Sequence, residues 1–268
     1  MSHQRVGDVD LFYQLVDYCE PWSHDRTPII FIHGLGGTHA MWLYQVPAFC
    51  ARFPVLTVDL RNHGASTKVC DDFTIADMAA DIARLFRSLG VEAAHVVGLS
   101  LGGMVALQLA IDHPMAVRGL VLADTMAGAP PGLEQLSREA LAFIEGHSMA
   151  EVAKTRITTA FSPHIDPQVR DYFIEQVAQN DKAAYVRSAR AAFRFNVRDR
   201  LRDVKRPTLV IVGDEDATTP PMLSEELAAG IPEARLARIA AAGHISNIEK
   251  PAQFNAEVLR FCDARQRS

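Results

Sequence analysis

The sequence predicts an α/β protein with a mostly parallel, doubly wound sheet. Short, continuous apolar runs recur at residues 29–32, 55–58, 94–97, 120–122 and 208–212. Strands covered by helices on both faces look like this, because neither face meets water. Segments of helical period separate most of these runs, and strand–helix alternation builds βαβ units. The alternation breaks once, between residues 127 and 205, where only helical patterns occur.

The elements follow in chain order. Residues 6–18 alternate through Val9, Leu11, Tyr13 and Leu15, as an antiparallel hairpin at a sheet edge would. Residues 75–89 place Ile75, Met78, Ile82, Leu85, Phe86 and Leu89 at helical spacing, with Gly90 as the stop. Residues 101–113 are apolar nearly all round and end before Pro114, which suits an interior helix. The break carries helical patterns at 135–144, 150–160, 168–178 and 183–195. Residues 234–239 read as a strand, and 251–262 set Phe254, Val258, Leu259 and Phe261 on one helix face. The expected division is a core of residues 1–126 and 206–268, with 127–205 as a helical cap. Ligands of such sheets bind at the carboxyl ends of the strands, so a cap there would shape a pocket.

Composition excludes several classes. The 268 residues are 49% hydrophobic and 22% charged, with a formal net charge of -5, which fits an ordinary soluble domain. No basic patch predicts a nucleic-acid partner, and no apolar run approaches the ~20 residues of a membrane span. Cys19, Cys50, Cys70 and Cys262 form no CxxC pair, so neither a metal site nor a disulfide scaffold is expected. The first residues show no apolar secretory segment, and the expected setting is the cytoplasm. A homo-oligomer is compatible with all of this.

The chemistry is carried by Gly98-Leu99-Ser100-Leu101-Gly102. G-x-S-x-G between a strand and a helix makes a sharp turn that projects one hydroxyl above the sheet. A serine hydroxyl is a weak nucleophile until a base takes its proton. His244, in the turn Ala242-Gly243-His244, is the candidate base. Asp216 is the candidate acid, from its place between Gly213 and Pro220. Asp214 reads better as a strand-end cap, and Asp124 as a loop-capping residue near the pocket. His33 and His63 lie in strand-end loops and read as braces. Backbone N–H groups of Leu35 and Leu101 are the candidate oxyanion donors, Leu101 because it opens a helix. Trp42, Met104, Met126 and Phe161 are candidate pocket walls.

With these residues the chain resembles the α/β-hydrolase superfamily along nearly its whole length. The carriers are His33-Gly34-Leu35-Gly36-Gly37, Asp59-x-Arg61-x-His63-Gly64-x-Ser66, the Ser100 turn, Gly213 to Pro220, and Gly243-His244. Asn62 stands where that family usually has glycine. Within it, Gly98 to Gly103, Ala242 to Glu249 and the cap length look most like 3-oxoadipate enol-lactonases and related carboxylesterases. Those enzymes commonly have Ala-Ala where this chain has Ala242-Gly243. The resemblance implies a Ser-His-Asp hydrolase of a small ester or lactone in aromatic catabolism, working without cofactor or metal. It also implies a cation in the cap, for which Arg187, Arg190 and Arg194 share a helix face; a solvated stripe is the competing reading. Carbon–carbon bond hydrolysis of a vinylogous diketone, cofactor-free haloperoxidation and a non-catalytic receptor remain as rival readings.

Overall fold

Among the described residues eight strands form one sheet: β1 (Ser2–Val6), β2 (Val9–Val16), β3 (Ile29–Ile32), β4 (Val55–Val58), β5 (Ala94–Leu99), β6 (Val117–Ala123), β7 (Thr208–Gly213) and β8 (Arg235–Ile239). This computed structural model describes residues 1–22, 25–129, 132 and 134–266. Positions 23, 24, 130, 131, 133, 267 and 268 lie outside the described residues, and with them small parts of the expected core and cap.

The strand order is β1-β2-β4-β3-β5-β6-β7-β8. β1 and β2 form the expected antiparallel hairpin, turning at Gly7, whose φ is +73°. The hairpin begins at Ser2 rather than near Val6 because β1 pairs along its whole length with β2 although its first four residues are not buried. β2 joins β4 antiparallel, and every later pairing is parallel. After β3 the chain moves to one side of the sheet, and after β5 to the other. The loops leaving these two neighbours therefore diverge and open a crevice at their carboxyl ends.

Among the described residues the α-helices follow in chain order: α1 (Val46–Phe49), α2 (Ile75–Ser88), α3 (Leu101–Asp112), α4 (Glu134–Gly146), α5 (Met149–Ala160), α6 (Pro167–Ala178), α7 (Lys182–Phe193), α8 (Pro221–Gly230), α9 (Ser246–Glu249) and α10 (Pro251–Gln266). Thr74 and Asp77 close a capping box on α2, and Gly90 stops it at φ +67°. Alternate strand residues feed two cores. Ile30, Ile32, Val96, Leu120 and Val210 meet α2 and α3, whereas Phe31, Val97, Val121, Leu209 and Ile211 meet Phe49, Phe254 and Phe261. Both faces are buried, which is why the strands read as unbroken apolar runs. Among the described residues no helix is long and apolar enough to cross a membrane.

Helices α4 to α7 occupy the break in alternation, close to their expected limits. A single bridge, Gly128 to Asn196, ties the entrance of this segment to its exit. Asn62 has φ +66°, a conformation asparagine tolerates better than most residues. Its side chain accepts the Val69 N–H at 2.7 Å, so the loop keeps its shape without glycine.

Candidate active site

β5 runs straight into Ser100, which adopts φ 53° and ψ −115° before α3 begins. That backbone is strained for a residue with a side chain, and close packing holds it in place. A Cβ on Gly98 would stand 2.2 Å from the Gly102 carbonyl, and one on Gly102 would stand 2.1 Å from the Ile32 carbonyl. The two glycines thus let β3, β5 and α3 touch, and the Ser100 hydroxyl is lifted into the crevice.

His244 sits in the turn between β8 and α9. Its N–H donates to the Ala160 carbonyl at 2.6 Å, at the end of α5. The Glu249 carboxylate accepts from Gly243 N at 2.8 Å and Ser162 N at 3.1 Å, joining the same two segments. A Cβ on Gly243 would lie 2.6 Å from the Ala160 carbonyl and 2.7 Å from Ser162 N. The absence of a side chain at Gly243 therefore makes room for the end of α5.

His244 Nε2 lies 2.8 Å from Ser100 Oγ, and His244 Nδ1 lies 2.9 Å from Asp216 Oδ2. Asp216 also accepts from the Thr218 and Thr219 amides, each at 2.8 Å, and from the Thr219 hydroxyl at 2.8 Å. With Nδ1–H donating to the carboxylate, Nε2 is left as the acceptor for the serine hydroxyl. Asp214 instead pairs with Arg238 at 2.6 Å, away from the histidine. The Leu35 and Leu101 N–H groups flank Ser100, and neither finds an acceptor among the described residues.

A family model for the alpha/beta hydrolase fold matches residues 27–251. The chain belongs to that family. It is 30% identical to a putative carbamate hydrolase RutD of Azorhizobium caulinodans, with 98% of each chain covered. It is 29% identical to 3-oxoadipate enol-lactonase 2 of Acinetobacter baylyi, over 91% of each. The crystal structure of the enol-lactonase from Burkholderia xenovorans superposes with a TM-score of 0.90 at 27% identity, covering 98% of this chain and all of that one.

In this α/β hydrolase two cavities meet at Ser100, one of about 90 Å³ and the other of about 520 Å³. Leu35, Ser100, Arg156 and Thr218 border both. All four helices α4 to α7 contribute lining residues. Met104 and Met126 line the larger lobe. Trp42 does not reach either. It is buried in the core, with its ring 4.9 Å from Phe31 and 6.3 Å from Phe254. Phe161 is also buried outside the cavities, behind Phe173, whose ring it meets edge-on at 5.5 Å and which does line the smaller lobe.

The basic stripe on α7 faces away from both lobes. Arg190 pairs with Glu145 at 2.7 Å, Arg194 with Asp72 at 3.5 Å, and Arg187 lines neither cavity. The cation that does border both is Arg156 on α5, four residues after buried Val152 and four before buried Ala160. A lone arginine in that apolar stripe was the available sequence signal. Among the described residues no cluster of three His, Cys, Asp or Glu side chains could hold a metal ion.

Electrostatics separate the histidines. His33 Nδ1 lies 2.7 Å from the Gly34 carbonyl, and Nε2 accepts from Leu60 N at 3.0 Å; burial lowers its pKa, so it is a neutral brace. Burial also pulls His63 down to about 3. For His244 burial works downward, but the charge and hydrogen bond of Asp216 outweigh it and raise the pKa above 6.5. Burial likewise opposes ionisation of Asp216, yet His244 and the Thr219 donors lower its pKa. Asp124 is different. Burial first, and the Asp216 charge second, lift it to about 7.

A His244 that serves as base must be neutral to accept a proton, and with that role kcat/KM should rise with pH through a midpoint above 6.5. Asp124 titrates in the same range, so the limb belongs to a coupled pair. A pH profile measured on a neutral ester checks this; a flat profile between about pH 5 and 8 contradicts it.

Proposed function

We propose that this α/β hydrolase cleaves a small ester or lactone through an acyl-enzyme formed on Ser100. The observation that carries the reading is the unbroken chain from Ser100 Oγ to His244 Nε2 at 2.8 Å and from His244 Nδ1 to Asp216 at 2.9 Å. His244 removes the hydroxyl proton as Ser100 Oγ attacks the carbonyl carbon. The Leu35 and Leu101 N–H groups receive the developing oxyanion, and neither has an acceptor among the described residues. His244 then passes its proton to the departing alkoxide or enolate oxygen as the carbon–oxygen bond breaks. Water, deprotonated by the same imidazole, releases the acid and restores Ser100. Asp216 stays ionised throughout and fixes the tautomer.

Helices α4 to α7 act in this reading as a cap that walls the substrate in. The enol-lactonase relatives make an enol-lactone the first substrate to test, and the carbamate hydrolase relative adds a carbamate. A fluorophosphonate probe should label Ser100 in the wild-type protein. An equal-concentration panel of enol-lactones, short p-nitrophenyl esters, carbamates and ring-cleavage diketones then reads the bond cleaved. Labelling with ester or lactone turnover is the expected result. Absence of both labelling and turnover overturns the reading, and turnover of the diketones alone replaces it with carbon–carbon hydrolysis.

A further inference from the structure

Resting on the hydrolase reading, we propose that Thr219 is a positioning residue for His244, with its hydroxyl bridging the imidazole and the Asp216 carboxylate. Thr219 Oγ1 donates to Asp216 Oδ2 at 2.8 Å. That carboxylate oxygen also faces His244 Nδ1 at 2.9 Å, and Thr219 Oγ1 itself stands 3.1 Å from Nδ1. A hydroxyl carries one proton and two lone pairs. With its proton directed to the carboxylate, Thr219 turns a lone pair toward the Nδ1–H. The N–H then has two acceptors, and these are hydrogen-bonded to each other. Neither the ring nor the carboxylate can swing out of line without stretching a second hydrogen bond. That matters during the reaction, because Nε2 must stay aimed at Ser100 and then at the leaving oxygen while the imidazole carries the extra proton.

The chain prepares that hydroxyl locally. Thr219 precedes Pro220 and Pro221, and a residue before proline is biased to extended backbone. Its branched Cβ restricts the side-chain torsion as well. The Thr218 and Thr219 amides both donate to Asp216 Oδ1 at 2.8 Å, which pins the backbone to the carboxylate. Asp216 thus receives two amides on one oxygen, and the hydroxyl with the imidazole on the other. Asp216 and Thr219 are each only 3% exposed, so these bonds form away from bulk water, where a contact to a charged group counts for more. Thr219 lines the larger lobe and Asp216 lines neither, which sets the threonine between the carboxylate and the substrate space.

Two substitutions separate the hydroxyl from the space it fills. Thr219→Val keeps the shape and removes the hydroxyl, whereas Thr219→Ser keeps the hydroxyl and removes the methyl group. On p-nitrophenyl acetate, Thr219→Val should lose about tenfold to hundredfold in kcat, the range of a hydrogen bond to a charged group, with KM little changed. Thr219→Ser should stay close to wild type. A second readout needs no turnover. The low-field proton resonance of the His244 Nδ1–H, assigned by its absence from His244→Gln, should persist in Thr219→Ser and be shifted or lost in Thr219→Val. Turnover in Thr219→Val equal to or above that in Thr219→Ser overturns the proposal and assigns Thr219 a packing role. A resonance unchanged in Thr219→Val overturns it too. If the wild-type protein cleaves no ester and Ser100 takes no fluorophosphonate label, the hydrolase reading fails, and the resonance alone decides whether the hydroxyl holds the ring.

Discussion

Replacing Ser100 by alanine is expected to lower kcat for ester hydrolysis by about 10⁴-fold or more, with little loss of fold. Among the described residues the hydroxyl bonds only to His244 Nε2, and that nitrogen faces the cavity, where water can take the hydroxyl's place. The strained turn does not depend on the side chain. It is held by the approach of Gly98 to Gly102 and of Gly102 to Ile32, by the Ser100 N–H to the Ala123 carbonyl at 2.9 Å, and by the Thr125 hydroxyl on the Ser100 carbonyl at 2.7 Å. Alanine meets the same positive φ as serine, so the two pay a similar backbone cost. Activity left in the variant reports what the Leu35 and Leu101 donors and the cavity supply without a nucleophile. Steady-state kinetics and a melting curve on purified protein check both halves. Near-normal turnover with an intact fold would move the nucleophile to another residue.

The Ser100 turn was legible because its glycines are dictated locally: no Cβ fits where β3, β5 and α3 meet. The strand runs were legible because both faces of the sheet are covered, which leaves no polar alternation to confuse them. What escaped was direction. The spacing of Arg187, Arg190 and Arg194 says that they share a face, yet the face is decided by Asp72 and Glu145, which come from other parts of the chain. Trp42 lies in a short 3₁₀ turn after β3, and its place in the core rests on Phe31 and on Phe254 from the last helix, which no local pattern announces. Arg156 went unread because its meaning depends on α5 being docked against the histidine turn. That contact joins residues 84 positions apart, Ala160 and His244, and no local pattern announces it.

The two buried carboxylates near His244 should respond very differently to the same change. Asp216→Asn is expected to cost about 10⁴-fold in kcat, because an asparagine amide can donate to Nδ1. The proton then sits on Nε2, which can no longer accept from Ser100. The Thr218 and Thr219 donors, arranged for a carboxylate, would hold the new side chain in place and preserve that wrong tautomer. Asp124 accepts from Gly213 N at 2.9 Å, from the Ser246 hydroxyl at 2.6 Å and from Ser246 N at 3.4 Å, and among the described residues no hydrogen bond joins it to the imidazole. Asparagine can keep the two shorter contacts, accepting from Gly213 and donating to Ser246 Oγ, and gives up only the long one from Ser246 N, so Asp124→Asn should leave most of kcat. Its effect should fall on pH. The Asp124 charge favours protonated His244, and removing it lowers the pKa of the base. The acidic limb of kcat/KM should therefore move to lower pH in Asp124→Asn, while Asp216→Asn depresses the whole profile. Equal losses of kcat in the two variants, or a larger loss in Asp124→Asn, would transfer the acid's role from the loop after β7 to the end of β6.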